Sequence, residues 1–315
     1  MRSFIALVIA LIFLGTTTHS LAQKSSSHNA FQEIYTHPTN DFIIKATTKT
    51  ADSSPDMVFA GVIAQGGFAP EPSKQGTTLV VRRMNPSGNF VWERAIKEER
   101  ELVPHSIEAT EDEGFIIGGT AYPKTQQPSA MFLLKLDKNG KTDWIKYYET
   151  RRYEEERRIP ALAVLNAAIP AIGGGYIGVG YSEVYNPQRF SVQFAATIIR
   201  TDDSGVLIDR KIMQVGDHSD GLTIRKIGDE GYAVLLATIN NFDAPTVVRL
   251  DPNLHTMWTQ QIQQSTNAFA PRDLTVISVD EIVVTGMLHD LAQDKTAIAL
   301  VSLRQFDGQI QWQQS

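Results

Sequence analysis

The sequence predicts an all-β chain built from five repeats of four short strands. Three observations predict it. The four Trp residues, Trp92, Trp144, Trp258 and Trp312, stand 52, 114 and 54 positions apart. The middle gap is about twice the others, so one repeat lacks its Trp. Each Trp follows a turn-like stretch: "NPSGNFVW", "DKNGKTDW", "DPNLHTMW" and "FDGQIQW". The remaining member, "DDSGVLID" (202–209), carries Asp209 in the Trp place. Upstream of each turn, short segments rich in β-branched residues recur in a fixed order, bounded by Gly, Asp, Asn or Pro, which is how strands read.

Each repeat opens on a first strand: "DFIIKATT", "HSIEATED", "PALAVLNA", "LTIRKIGD" and "RDLTVISV". The second strands are "DMVFAGV", "EGFIIGGT", "GGYIGVGY", "EGYAVLLA" and "DEIVVTGM". The third are "VVRRMN", "FLLKLD", "TIIRTD", "PTVVRLD" and "ALVSLR". The fourth begins at the Trp position, so the four Trp are expected between neighbouring sheets and mainly buried. Four-stranded units at this period are blades of a β-propeller. A linear stack would leave sheet edges exposed at both ends. One segment is surplus: "FQEIY" (31–35) also reads as a fourth strand, with Phe31 in the Trp position. Either it or "IQWQQS" (310–315) closes the last blade, or the two share it.

The turn "DKNGKTDW" (137–144) resembles the front of a calcium loop. Such a site needs about six to eight oxygens at fixed positions. This stretch has no downstream bidentate Glu, and its sister turns do not keep the acidic pattern. Asn-Gly and Asp-Gly close hairpins because they tolerate positive φ, so a hairpin turn is the expected role.

The pattern G-G-[FY]-I-x-x-G followed by L-x-K-L-D-x-x-G-x-x-x-W resembles the β-propeller repeats of secreted and surface proteins of bacteria. It is clearest from Gly114 to Trp144, and degenerate where Leu236 replaces a Gly and Asp209 the Trp. The resemblance covers roughly 31–315. It implies a fold and little chemistry, because propellers host many functions.

Arg2, the apolar run "FIALVIALIFLG" and the small residues of "SLA" (20–22) read as a secretory signal peptide, residues 1–22, cut after Ala22. A retained anchor is the alternative, although the run is shorter than the roughly 20 residues a span needs. Residues 23–30 are expected to be a flexible leader and 31–315 a single propeller domain. The 315-residue chain has no Cys and a formal charge of −6. Disulfides, thiolate metal sites and acylated lipoprotein cysteines are thereby excluded. An acidic chain also lacks the basic footprint of a nucleic-acid binder. A secreted or periplasmic location is expected, with no membrane span after cleavage.

No stretch carries a catalytic signature. "GGGYIG" (173–178) leads into a strand where a dinucleotide loop needs a helix. "DHSDG" (217–221) has no nucleophile elbow around it and reads as a loop between blades. The His spacing offers no zinc motif, and neither metal nor cofactor is expected. Asp41, Asp220 and Asp273 precede or open first strands, which line the channel of a propeller. At one channel mouth they could hold a cation or do acid–base work as in glycosidases. Alternatively they bind backbone amides at the strand start. The charged runs "KEERE" (97–101) and "RRYEEERR" (151–158) read as solvated connections.

The longest loops join second to third strands. They emerge at the same end as the connections between blades, and they carry Phe68, Tyr122, Tyr185, Arg189, Phe190 and Phe242. Tyr153, in a connection between blades, joins them there. Aromatics and Arg dominate the energetic centres of interfaces. The sequence therefore predicts an exported, non-catalytic module that binds a protein or glycan on this face. The alternative is a carbohydrate-active hydrolase or lyase using the channel carboxylates, and a third class is a purely structural envelope module.

Overall fold

The computed structural model describes residues 40–50, 56–65, 77–154, 157–238, 245–262, 267–290 and 294–315. Their regular structure is entirely β-strand. The first four-stranded sheet holds β1 (Asn40–Lys49), β2 (Met57–Gln65), β3 (Thr77–Met84) and β4 (Phe90–Ile96). The second holds β5 (Glu101–Ala109), β6 (Phe115–Tyr122), β7 (Ala130–Leu136) and β8 (Thr142–Tyr148). A two-stranded hairpin follows, β9 (Thr150–Glu154) and β10 (Arg157–Ala161). The third sheet holds β11 (Ala163–Pro170), β12 (Tyr176–Asn186), β13 (Ser191–Thr201) and β14 (Leu207–Met213). The fourth holds β15 (Ser219–Lys226), β16 (Tyr232–Thr238), β17 (Thr246–Leu250) and β18 (Thr256–Gln261). The fifth holds β19 (Asn267–Val276), β20 (Glu281–Asp290), β21 (Lys295–Arg304) and β22 (Ile310–Gln314).

Every four-stranded sheet is an antiparallel meander in chain order. Its first-to-second and third-to-fourth turns therefore lie at one end, the turn end. Its other connections lie at the opposite, loop end. Successive sheets pack face to face, and the architecture is β-propeller-like. Side chains alternate across a strand, so Phe132 and Leu134 pack toward the first sheet, whereas Met131 and Leu133 pack toward the third. That is why β7 is buried at every position. Ile177, Val179 and Ile198 meet Ile224, Tyr232 and Val234 between the third and fourth sheets. Ala233, Leu235 and Val247 meet Phe269, Ile282 and Val284 between the fourth and fifth.

Three of the third-to-fourth turns share one device. Asp137 Oδ1 accepts from the amides of Asn139 and Lys141, both at 2.8 Å. Asp202 Oδ1 does the same with Ser204 (2.9 Å) and Val206 (2.8 Å), and Asp251 with Asn253 (2.9 Å) and His255 (2.7 Å). The acidic residue of "DKNG" caps its own turn. The Ser204 hydroxyl and these amides hold the Asp202 carboxyl below the usual carboxylate range.

The Trp residues are less buried than expected. Trp92, Trp144 and Trp258 are half-buried and Trp312 is 41% exposed. The reason is their place on the outermost strand. Each of the first three lays its ring across a positive-φ glycine in the turn of the next sheet, leaving its outer edge to solvent. A Cβ at Gly140 would stand 2.8 Å from the Trp92 ring, at Gly205 2.8 Å from Trp144, and at Gly308 2.7 Å from Trp258. Trp312, on the last strand of the last sheet, instead donates its Nε1 to Glu281 Oε1 at 3.1 Å. Asp209 sits opposite Arg200 as Trp144 sits opposite Lys135. The turn that would receive a ring there carries no glycine. It carries Leu254, at φ 68 and 3% exposed, packed among the third- and fourth-sheet side chains.

Two segments read as loops are strands. "RRYEEERR" forms much of the β9–β10 hairpin, held by Arg152 NH1 donating to Glu183 Oε2 at 2.6 Å. "SEVYNPQRFSVQ" is largely the continuation of β12 and β13, paired as far as Asn186 and Ser191. The segment "FQEIY", the signal peptide and the leader lie outside the described residues. Among the described residues no helix is long and apolar enough to cross a membrane.

Candidate functional site

The first strands carry a feature that their composition hides. Each is broken by one bulge against its second strand, between Ile44 and Ala46, Pro104 and Ser106, Leu165 and Ala167, Gly221 and Thr223, and Pro271 and Asp273. The five bulged residues are Lys45, His105, Asn166, Leu222 and Arg272. A bulge leaves one residue out of the ladder and re-aims it, a device common beside functional sites. Four of the five line one cleft of about 250 Å³, together with Ser106, Glu108, Thr223, Arg225 and Asp273. The cleft therefore draws on the first strands of four different sheets.

Side chains cross between these strands. Asn166 Nδ2 donates to Asp220 Oδ1 (2.7 Å) and to the Gly221 carbonyl (3.0 Å). Ser106 Oγ accepts from the Ala168 amide at 2.9 Å. Arg225 NH2 donates to both carboxylate oxygens of Asp273, at 3.0 and 3.3 Å. Burial raises the Glu108 carboxyl above its ordinary range, with Arg225 opposing and Asp273 adding to the rise. Arg272 is exposed and makes no ion pair or hydrogen bond among the described residues.

The three aspartates expected at one channel mouth stand at three levels. Counted from the bulges, Asp273 follows its bulge directly, Asp220 lies two residue pairs nearer the loop end, and Asp41 two pairs further. Each two-pair step is about 7 Å at the rise of a strand. Asp273 is committed to Arg225. Asp220 is half-buried, and burial pushes its carboxyl up to about 7 against the Asn166 hydrogen bond, which pulls it down. The partners of these groups, Asn166, Glu108 and Arg225, had no motif to mark them.

At the loop end the structure brings Tyr185 and Arg189 together in a cleft of about 380 Å³, with Asn186, Gln193 and Gln214. Arg189 NH1 lies 2.5 Å from Asp217 Oδ2, both side chains more than half exposed. Phe190, beside it, is 79% exposed at φ 49. Tyr153 projects from the β9–β10 hairpin, 66% exposed. Tyr122 is half-buried at the end of β6, and burial raises its hydroxyl. Phe68 and Phe242 lie outside the described residues.

A further depression, of about 710 Å³, is at the opposite, turn end. The glycine hairpin 173–175, Trp144, Tyr176, Glu111, Asp112, Asp203 and Asp229 line it. Its Lys135, 4% exposed, donates to Asp112 Oδ2 (2.8 Å) and to the Leu136 carbonyl (2.9 Å). Sequence reasoning placed no site there, because the lining comes from turns of three sheets. Among the described residues no three His, Cys, Asp or Glu side chains come together as metal ligands.

No family model matches the chain, and no curated protein sequence matches it. Solved structures similar to it include a mutant of the Synechocystis apocarotenoid oxygenase, at 12% identity and a TM-score of 0.46 over 82% of this chain and 58% of that one. A glycoside hydrolase is similar at 10% identity and a TM-score of 0.42, over 84% of this chain and 91% of that one. The WD40 domain of SCAP from fission yeast is similar at 9% identity and a TM-score of 0.36, over 87% and 67%. The chain spans little more than half the length of the oxygenase. These likenesses are too distant to carry anything about activity.

Proposed function

We propose that this chain is an exported β-propeller that binds a protein or glycan ligand at its loop end without catalysing a reaction. In this reading residues 1–22 direct export to the periplasm or beyond, and the five four-stranded sheets close into a ring. What supports the ring is the cleft shared by the first strands of four sheets, since strands lining one cleft converge on one axis. What carries the binding reading is the loop-end cleft itself. Tyr185 and Arg189 share it with the amides of Asn186, Gln193 and Gln214. An aromatic ring, a guanidinium and amides recognise polar ligands by stacking and directed hydrogen bonds. The Arg189–Asp217 pair is no obstacle, because exposed pairs contribute about 0–1 kcal/mol and exchange readily.

One observation favours the hydrolase or lyase alternative: the Asp220 carboxyl, pushed up to about 7, is poised to hold or release a proton near neutrality. Against it, the three aspartates lie on separate levels and Asp273 is engaged by Arg225. The test is a glycan and protein binding screen on the mature chain, repeated with Tyr185→Ala and Arg189→Ala. The reading expects a ligand whose affinity falls at least tenfold in both variants while the melting temperature holds. Unchanged affinity with lowered stability would mark these side chains as loop anchors and end the proposal. Turnover of a screened glycan, lost in Asp220→Asn, would favour the enzyme.

A further inference from the structure

We infer that the cleft between the first strands is a second binding site, distinct from the loop end, which takes a small hydroxylated carboxylate such as a sugar acid through Arg272. A bulge weakens a ladder, yet every first strand has one at the corresponding place. The residues they release share no structural chemistry: Lys45, His105, Asn166, Leu222 and Arg272. Four of these five line one cleft. The bulges therefore define a level in the molecule, and its chemistry is set residue by residue.

Within that cleft most polar groups are already used. Asn166 is committed to Asp220 and Gly221, Ser106 to the Ala168 amide, and Arg225 to Asp273. Arg272, by contrast, is exposed and has no ion pair or hydrogen bond among the described residues. A guanidinium binds a carboxylate in a planar, two-bond fork. The surroundings select among anions. Asp273 and Glu108 line the same space, so a dianion meets about twice the repulsion a monoanion does. Both acidic groups accept hydrogen bonds, so hydroxyls on the ligand find partners beside the carboxylate. A volume of about 250 Å³ falls below the range for drug-sized ligands, roughly 300–1,000 Å³, and suits a single sugar unit.

The test is calorimetric titration of the full mature chain with D-glucuronate, D-glucose and inorganic phosphate, in wild type, Arg272→Gln, Arg272→Lys and Arg189→Ala. Glucuronate is expected to bind wild type and Arg189→Ala alike. Its affinity should fall at least tenfold in Arg272→Gln and partly in Arg272→Lys, which keeps the charge and loses the fork. Glucose and phosphate should bind at least tenfold more weakly than glucuronate. All variants should melt within a degree or two of wild type, since Arg272 and Arg189 are exposed. Absence of glucuronate binding to wild type, full affinity in Arg272→Gln, or equal binding of glucose or phosphate would each overturn the assignment. Loss of glucuronate binding in Arg189→Ala would move the site to the loop end and overturn it too. The loop-end reading is read from its own ligand, so the two can fail separately.

Discussion

Leu254 stands where the other sheets place a glycine, and Asp209 stands where they place a Trp. The pairing predicts that Leu254 does the filling that a Trp ring does elsewhere. Arg94 and Lys146, two residues beyond their Trp, lie against Gly140 and Gly205. Lys211, two beyond Asp209, donates its Nζ to the Leu254 carbonyl in the same way. Leu254→Gly removes a side chain that is 3% exposed, a loss of about 3–4 kcal/mol by analogy with core Leu truncations. It relieves about 1 kcal/mol of left-handed strain at φ 68. The looser unfolded chain of a glycine costs back roughly 0.5–1 kcal/mol. The net loss is about 3 kcal/mol, or some 6–10 °C in melting temperature at the scaling of larger domains. Adding Asp209→Trp restores the ring-on-glycine contact, and the double variant should recover about 2 kcal/mol of that loss, as expected of a half-buried aromatic. Thermal melts of wild type, both singles and the double, followed by circular dichroism, complete the cycle. A Leu254→Gly protein melting within 2 °C of wild type, or a double variant no more stable than Leu254→Gly, would refute the compensation.

Two further outcomes follow from burial and charge. Asp220 holds its proton to about pH 7 when folded but only to its ordinary 3.8 when unfolded, so its presence lowers stability progressively as pH rises from 4 to 7. Asp220→Asn keeps the acceptor for Asn166. It should therefore match wild type near pH 4 and exceed it by about 2–4 kcal/mol at pH 8, and a pH-independent difference in chemical denaturation would contradict this. Trp144→Ala should cost about 3 kcal/mol, because its ring rests on Gly205 and meets Tyr176 edge-on at 5.5 Å. Trp312→Ala, at 41% exposure, should cost less than half as much, and equal losses in urea titrations would show that Trp312 is packed as its sisters are.

Much of the sheet plan was legible because its signals are compositional. The Trp spacing marked the fourth strands. The Asp or Asn opening the first four of these turns marked the hairpins, and the structure shows its carboxylate or amide oxygen capping the turn. The bulges were illegible for the opposite reason. A bulge is a register between two strands, and Lys45, His105, Asn166, Leu222 and Arg272 share no property a sequence pattern can find. The described residues of "RRYEEERR" are exposed or half-buried, as a solvated run should be, but its charges gave no sign that it pairs as a hairpin. Among the described residues its strands pair with each other, and an ion pair from Arg152 to Glu183 helps tie them down. Trp burial was overestimated because sequence spacing places a side chain at an interface without saying that the strand is the outermost one.

The first strand of each sheet pairs with only one neighbour, so its free edge presents amides and carbonyls that need partners. Other folds cover such edges with a helix or a loop. Here side chains from the adjacent sheet supply the cover: Ser106 Oγ takes the Ala168 amide and Asn166 Nδ2 serves the Gly221 carbonyl. Polar residues along these strands therefore divide by whether a backbone edge already claims them. Ser106 and Asn166 are claimed, and their polarity is explained without any ligand. The Asp220 carboxyl is tied to Asn166 and raised by burial. That gives it a structural origin, because an acid held among first strands pays for desolvation whether or not it does chemistry. Arg272 satisfies no edge, pairs with no acid among the described residues, and is carried out of the ladder by a bulge. A cation without a structural partner among the described residues, placed in a cleft shared by the first strands of four sheets, is the reason the cleft reads as a site.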